Sequence, residues 1–307
     1  IRFQIAGQAV NAGLNQAIAE NKKNADGFAV APYVIHKLSK AMEDRGPEEV
    51  WSYVFGYPWY NATKGYMAQN YELVTKKNGL ELSIYEVNHH ITGGDASEKV
   101  RNEIVAGIGG GVNIANWMLM MLRDHNVRTQ NFFTLSQLGY KAGNMNVKLW
   151  GGCLSMAPGQ ERYRPTMQAL IVLNRVLGGG LVKVAKSGAD PKWTCTAVFD
   201  PSARNRKGNE PFDVPYIQTY GVRDGKQRAV ILFSLSRGEV LPVKLEVPGA
   251  IKPGSAIKWT LAADRIDANN EKEEQVKIVE EKLADFATGA ALDLKPFSMT
   301  VIRWEEP

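Results

Sequence analysis

The sequence has few cysteines and no long apolar stretch. Its 307 residues include two cysteines, Cys153 and Cys195, which could form one disulfide or remain two buried thiols. The most apolar helical segment, Trp117 to Leu122, is far shorter than the roughly 18 to 20 apolar residues that a membrane span needs. With 44% hydrophobic and 22% charged residues, the composition is that of an ordinary soluble protein, and the length suffices for two domains. We therefore expect no membrane partner.

Basic residues are not concentrated in any one part of the sequence. The formal net charge is +5 and the pI is about 9.0, yet lysine and arginine are scattered and no aromatic residues alternate with them. A nucleic-acid-binding surface usually shows such a concentration, so we expect no nucleic-acid partner. An acidic substrate remains compatible with the charge.

Strand-like and helix-like runs alternate through the first 180 residues, which is typical of a parallel α/β sheet. The predicted strands are Arg2–Gln8, Gly27–Tyr33, Leu80–Asn88 and Asn131–Gln137. The predicted helices cover about 15–23, 47–55, 65–77, 97–125 and 164–177. An aromatic turn at 57–60 separates the second helix from the third, and the glycines at 109–111 should weaken the fourth.

Four strands are half of the eight that close a (β/α)8 TIM barrel. The sequence therefore predicts that residues 1–180 form the C-terminal half of such a barrel, strands 5 to 8, and that the other half lies outside this chain. A strand-like run that starts at Ile1, with no methionine before it, also predicts a processed or partial polypeptide.

From residue 181 the pattern changes to short alternating strands separated by turn residues. Ala229–Ser234 and Val243–Val247 are examples, and Pro248-Gly249 marks a turn. This pattern predicts an antiparallel β-sandwich over residues 181–307. The charged stretch 269–282 is interpreted as a solvated loop and edge strand without a chemical role. The predicted fold class is thus α/β followed by all-β.

Glu86 is the main candidate for a catalytic residue. It ends the third predicted strand, where an α/β barrel presents its catalytic groups. Strand alternation puts it on the same face as Leu82 and Ile84. The alternative interpretations are a helix cap or an ion pair with a lysine.

Four short segments at the strand ends resemble a known group of enzymes. The segments are Ala6-Gly7-Gln8, Ala31-Pro32-Tyr33, Tyr85-Glu86-Val87-Asn88 and Leu135-Ser136-Gln137. In this order and spacing they resemble the last four strands of retaining clan A glycoside hydrolases, most of all the α-L-arabinofuranosidases, with the β-xylosidases and β-glucuronidases close behind. The helix from Arg164 and the segment 294–302 are similar to the barrel exit and C-terminal sandwich of those enzymes.

The resemblance implies a glycosidase that cleaves a terminal glycosidic bond of a plant-type polysaccharide or oligosaccharide without a cofactor. It implies that Glu86 is the nucleophile, although Glu86-Val87-Asn88 departs from the usual Glu-Trp-Asn triplet at its middle residue. The acid/base glutamate would lie before Ile1, so the expected partner is an N-terminal half-barrel chain or fragment that carries it. Without that half we expect no activity.

Further candidate residues lie at or beyond the ends of the predicted strands. Tyr33 would donate a hydrogen bond to Glu86, or pack as a rim aromatic. Asn88 would support the nucleophile or a sugar hydroxyl, or cap a loop. The other candidate substrate-binding residues are Gln8, His36, Trp59, His89, His90, Gln137 and Trp150. The histidines lack the HExxH type of spacing, so the sequence predicts no metal site.

Several alternatives stay open on the sequence alone. The enzyme could be a β-glucuronidase or β-xylosidase of the same clan, or the chain could be a noncatalytic carbohydrate-binding subunit. A homo-oligomer is compatible with the sequence. For localisation we favour a secreted or periplasmic protein over a cytoplasmic one.

Overall fold

The computed structural model describes residues 1–35, 37–196 and 210–307. Its first elements are β1 (Gln4–Ala6), α1 (Ala12–Glu20), β2 (Gly27–Val30), α2 (Lys40–Glu43), α3 (Pro47–Thr63), α4 (Tyr66–Asn70), a π-helix (Tyr71–Lys77), β3 (Glu81–Val87), α5 (Glu98–Ala106), α6 (Ile108–His125) and β4 (Gln130–Phe132). They are followed by β5 (Gly139–Ala142), β6 (Met145–Lys148), β7 (Cys153–Ser155), β8 (Arg162–Tyr163), α7 (Pro165–Asn174), β9 (Gly180–Val182), β10 (Lys192–Cys195) and β11 (Phe212–Pro215). The last are β12 (Ile217–Asp224), β13 (Gln227–Ser234), β14 (Leu241–Leu245), β15 (Ala256–Ala262), β16 (Lys277–Leu283), β17 (Ala290–Leu294) and β18 (Ser298–Glu305).

The chain divides into two compact units. Unit 1 comprises Ile1–Arg101, Trp117–Gly151 and Cys195–Phe212, and unit 2 comprises Asn102–Asn116, Gly152–Thr194 and Asp213–Pro307. The domain boundary predicted after residue 180 remains a prediction, and the chain changes unit after residues 101, 116, 151, 194 and 212. Cys153 and Cys195 are two buried thiols and are not joined in a disulfide.

No single helix of the described residues is long and apolar enough to cross a bilayer. Among them, α5 and α6 together have the necessary length and apolar composition, but they are bent by 57° at their junction.

Unit 1 is built on a four-stranded parallel sheet in the order β1-β2-β3-β4. Each of its strands lies within one of the four predicted strand segments or overlaps it. Strand β2 is buried along its whole length, as expected for a strand covered on both faces. The completion of this sheet to a barrel remains a proposal.

Helix α3 differs from its prediction. The prediction of an aromatic turn at 57–60 is wrong, because α3 continues through Pro58 to Thr63. A proline inside a helix removes one hydrogen bond, but most of α3, from Val50 onward, is buried. Burial of this apolar helix therefore outweighs the local turn signal.

The long helix predicted over 97–125 is two helices in the structure. The break lies at Gly107 and not at the predicted glycines 109–111. The amides of Ile108 and Gly109 donate to the carbonyls of Ala268 and Ile266, at 2.9 and 3.0 Å. These hydrogen bonds replace intrahelical ones and separate α5 from α6.

The fourth predicted strand is also shorter than expected. Strand β4 ends at Phe132 and not at Gln137, and an unpredicted hairpin of β5 and β6 follows it.

Unit 2 contains a large antiparallel sheet in the order β16-β15-β18-β13-β12-β9. A second, two-stranded sheet of β14 and β17 contributes to the same apolar core, which is consistent with a β-sandwich. The buried centre of this core includes Leu232, Ile302 and Trp304, against which Leu241 and Val243 pack. The edge strand expected within 269–282 is confirmed, since β16 forms one edge of the large sheet.

Candidate active site at the end of strand β3

Glu86 lies where β3 departs from regular pairing with β4. Ile84 and Val87 are three residues apart, but their partners on β4 are two residues apart, so β3 carries one extra residue there. Such a bulge re-aims the side chains next to it. Leu82, Ile84 and Val87 are buried, whereas Glu86 is partly exposed. The alternation predicted to place Glu86 with Leu82 and Ile84 is therefore interrupted, and Val87 takes the buried side instead.

Tyr33 and Glu86 are brought together as predicted. The Tyr33 hydroxyl donates to Glu86 Oε2 at 2.8 Å. Burial, and then the hydrogen bond to Glu86, raises the pKa of Tyr33, so the phenol remains a protonated donor at neutral pH. A donor in this position fixes the orientation of the Glu86 carboxyl group. The catalytic roles of both residues remain predictions.

Aromatic rings gather around Tyr33. His90 packs edge-on against it with ring centroids 5.3 Å apart, and Trp150 lies at 5.8 Å. The Phe133 ring packs against Trp150, with ring centroids 5.4 Å apart. The indole Nε1 of Trp150 donates to the main-chain carbonyl of His89. Three of the predicted site residues, Tyr33, His90 and Trp150, thus form one cluster beside Glu86.

Asn88 and His89 are buried within unit 1. The Asn88 side chain donates to the carbonyl oxygens of Phe133 and Trp150, at 2.6 and 3.2 Å, and accepts from the His89 amide at 2.8 Å. This arrangement favours the loop-capping interpretation of Asn88. Burial lowers the pKa of His89 to about 3, so its ring is neutral at neutral pH.

The other candidates are not joined to this cluster. Gln8 and Gln137 are exposed, and no hydrogen bond or ring contact between described residues links them or Trp59 to Glu86. Trp59 was expected in a loop but lies on α3, because that helix continues past Pro58. His36 lies outside the described residues.

Two residues near the site were missed by sequence reasoning. Arg101 is 1% exposed, and its guanidinium donates to the carbonyls of Ile91, Gly93, Gly94 and Ala96 at 2.5 to 2.8 Å, which orders the loop after His90. Tyr66 donates its hydroxyl to the main-chain carbonyl of Tyr33 at 3.1 Å. Both contacts are made by residues of other elements, and nothing in the local sequence pattern indicates them.

The surroundings of Glu86 contain few polar groups among the described residues. Tyr33 is the one hydrogen-bonding side chain they offer to Glu86. Among them, no group of three or more His, Cys, Asp or Glu is arranged to hold a metal ion. A separate surface depression is lined by Met42, Arg45, Glu49, Ser52, Tyr53, Cys195 and Thr196, none of which is a candidate site residue.

Comparison with known proteins shows similarity in structure but not in sequence. No family model matches the chain, and no curated protein matches it. Among solved structures, the family 51 arabinofuranosidase of Xanthomonas axonopodis pv. citri matches with a TM-score of 0.71 and 13% identity, over 98% of this chain and 58% of that enzyme. The fold is that of the family 51 arabinofuranosidases.

Two further structures extend the comparison. The α-L-arabinofuranosidase of Thermotoga maritima, in complex with arabinose, matches with a TM-score of 0.67 and 18% identity, over 99% of this chain and 58% of that one. A 4-O-α-L-rhamnosyl-β-D-glucuronidase of Fusarium oxysporum matches with a TM-score of 0.54 and 12% identity, over 95% and 56%. The chain thus spans less than three fifths of the length of these enzymes. The expected resemblance is confirmed at the level of the fold, consistent with the C-terminal part of a clan A glycoside hydrolase.

Proposed function

We propose that this chain is the nucleophile-bearing part of a retaining glycosidase that acts on terminal α-L-arabinofuranosides. The observation that carries the proposal is the hydrogen bond from Tyr33 to Glu86 at the carboxyl end of a parallel strand. In α/β barrels this end of the strands carries the catalytic groups. The structural likeness to two arabinofuranosidases supports the choice of sugar.

In the proposed reaction, Glu86 attacks the anomeric carbon while a second carboxylic acid protonates the leaving glycosidic oxygen. The bond from carbon to the leaving oxygen breaks, and a covalent glycosyl ester forms on Glu86. The second carboxylate then removes a proton from water, which attacks the same carbon and releases Glu86. Two inversions retain the configuration, and the mechanism requires the two carboxyl groups to be about 5 to 5.5 Å apart.

The second carboxyl group is proposed to come from an N-terminal half-barrel polypeptide. Parallel sheets are normally covered on both faces, and in barrels they have no free edge. In unit 1, β1 is an edge strand, Phe3 beside it is 60% exposed, and Tyr85 on β3 is 42% exposed. These uncovered groups support the proposal that a further polypeptide completes the site.

Replacement of Glu86 by glutamine tests the function in the complete assembly, which contains this chain and the polypeptide with the acid/base. We expect Glu86→Gln to lower kcat about 10⁴-fold while substrate binding is retained, because the amide cannot attack the anomeric carbon. Glu81→Gln is the matched control, since Glu81 lies at the other end of the same strand and pairs with Arg2. Proton NMR of the first-formed product checks that configuration is retained.

The outcomes separate the alternatives. Unchanged turnover in Glu86→Gln removes Glu86 from the mechanism. A wild-type assembly that binds sugars without hydrolysing them identifies a noncatalytic carbohydrate-binding subunit. A panel of aryl glycosides decides the substrate, with the arabinofuranoside expected to be cleaved fastest. Preference for the glucuronide would support the second candidate, a β-glucuronidase, which the likeness to the Fusarium oxysporum enzyme favours.

A further inference from the structure

Tyr66 is connected to the proposed nucleophile through Tyr33. Its hydroxyl donates to the main-chain carbonyl oxygen of Tyr33 at 3.1 Å, and the Tyr33 hydroxyl donates to Glu86 Oε2 at 2.8 Å. Burial raises the pKa of Tyr66 well above its usual value, so this phenol also remains a donor at neutral pH. Two hydrogen bonds in series therefore link the first residue of α4 to the carboxylate.

Tyr66 is itself held by a buried pair of amide side chains. Asn70 donates to the carbonyl of Tyr66 at 2.8 Å and to that of Ala9 at 2.6 Å. Asn15 donates to Asn70 Oδ1 at 2.6 Å and binds both the amide and the carbonyl of Gln8, at 3.0 and 2.7 Å. Because both asparagines are at most 1% exposed, water does not compete for these bonds. The loop after β1 and the start of α4 are thereby fixed to each other.

The backbone around Tyr33 needs such an anchor. Strand β2 ends at Val30, so Tyr33 lies beyond the regular sheet hydrogen bonds. Two residues later, Ile35 has a φ of +60°, a left-handed conformation that costs free energy in a β-branched residue. This conformation persists only if surrounding contacts hold it. The Tyr66 hydroxyl is one of these contacts, and the pairing of Val34 with His89 is another.

We propose that Tyr66 is a positioning residue that fixes Tyr33 and thereby sets the geometry of the hydrogen bond that Glu86 receives. The inference rests on the proposed function for its catalytic consequence, but the positioning itself is a property of this chain. Tyr66→Phe removes only the hydroxyl. Tyr71→Phe is the matched control, since Tyr71 follows α4 directly and its ring contacts His125 and not Tyr33.

The first measurement is carbon-13 NMR of this chain with tyrosine labelled at Cζ, and it needs no activity. The Tyr33 signal is assigned by its disappearance in Tyr33→Phe. We expect Tyr66→Phe to move this signal towards that of a solvent-exposed phenol, because the hydrogen bond to Glu86 lengthens. Tyr71→Phe should leave it in place. An unmoved Tyr33 signal in folded Tyr66→Phe overturns the proposal.

The second measurement is kinetic and uses the complete assembly. We expect Tyr66→Phe to lower kcat roughly three- to tenfold, the range of one hydrogen bond, with KM little changed.

A double variant separates positioning from general destabilisation. If Tyr66 acts through Tyr33, adding Tyr66→Phe to Tyr33→Phe should cost no further activity. Fully additive losses overturn the proposal. If Glu86→Gln leaves turnover intact, the proposed function fails, and the NMR result still decides whether Tyr66 positions Tyr33.

Discussion

The sheets of the two units differ in how much of their surface is covered. In unit 2, apolar side chains of the large sheet pack with those of the two-stranded β14–β17 sheet into one buried core. In unit 1, Phe3 and Tyr85 expose large apolar surfaces on or beside the parallel sheet. The antiparallel unit thus has its own core between two sheets, whereas the parallel unit leaves uncovered the region that contains Glu86. The sheet with a covered core therefore lies in unit 2, whereas the proposed catalytic residue lies in unit 1.

Two buried arginines among the described residues show the same contrast on a smaller scale. Arg101 in unit 1 and Arg164 in unit 2 are each 1% exposed. Arg101 donates to the main-chain carbonyls of the irregular loop 91–96. Arg164, at the start of α7, pairs with the Glu271 carboxylate at 2.6 Å. The buried guanidinium of Arg101 thus orders a loop beside the candidate site. That of Arg164 joins the start of α7 to the segment between β15 and β16.

Breaking the ion pair of unit 2 should have the largest effect on stability. Arg164→Met removes the cation from an ion pair in which Arg164 is 1% exposed and Glu271 is mostly buried, so we expect unfolding of unit 2 to become easier by about 4 kcal/mol. The double variant Arg164→Met/Glu271→Leu should recover much of this loss, because both charges of the pair are then removed together. Urea unfolding measures both. Lys244→Met, which breaks an exposed pair with Glu246, is the control and should leave stability almost unchanged. Loss of equal size in the single and double variants would contradict the ion-pair explanation.

Acid should destabilise unit 1 through the buried histidine His89, whereas unit 2 contains no histidine. Burial lowers the pKa of His89 from 6.5 to about 3. Between these values the unfolded chain binds a proton that the folded chain does not, so stability that is present above pH 6.5 is lost as the pH falls. From about pH 7 to about pH 4 the loss is about 3 kcal/mol. Burial lowers the pKa of His125 as well, which adds in the same direction.

The variant His89→Gln isolates this contribution. Its stability should depend less steeply on pH than that of the wild type, whatever its stability at neutral pH. Urea unfolding at both pH values gives the slope. An unchanged slope in His89→Gln would show that the ring is not the group that takes up the proton.

Features that depend on local pattern could be predicted from the sequence. The all-apolar run of β2 indicates a strand covered on both faces, and Glu86 and Tyr33 were placed at neighbouring strand ends. Because the carboxyl ends of parallel strands lie at one edge of a sheet, their contact follows from those two placements.

Features that depend on contacts between distant residues could not be predicted. The bulge in β3 arises from its pairing with β4, and α3 continues through Pro58 because the helix is buried. Arg101 and Tyr66 act on backbone carbonyls, which every residue has, so no side-chain pattern marks their partners. The sequence therefore predicts where the candidate nucleophile lies, but not the residues that hold its surroundings in place.

The variants with the smallest expected effect on stability are at the edges of the two sheets. They test whether the uncovered edge is that of the parallel sheet or that of the large antiparallel sheet. Phe3 lies beside the edge strand β1, and Val279 is 51% exposed on β16, the edge of the large sheet. Replacing either by serine should change stability by less than about 0.5 kcal/mol. Self-association in sedimentation velocity should fall in Phe3→Ser and stay unchanged in Val279→Ser, because lysine and glutamate along β16 already oppose edge-to-edge pairing. A reversed result would mean that the antiparallel sheet, and not the sheet that contains Glu86, is the one that lacks a cover.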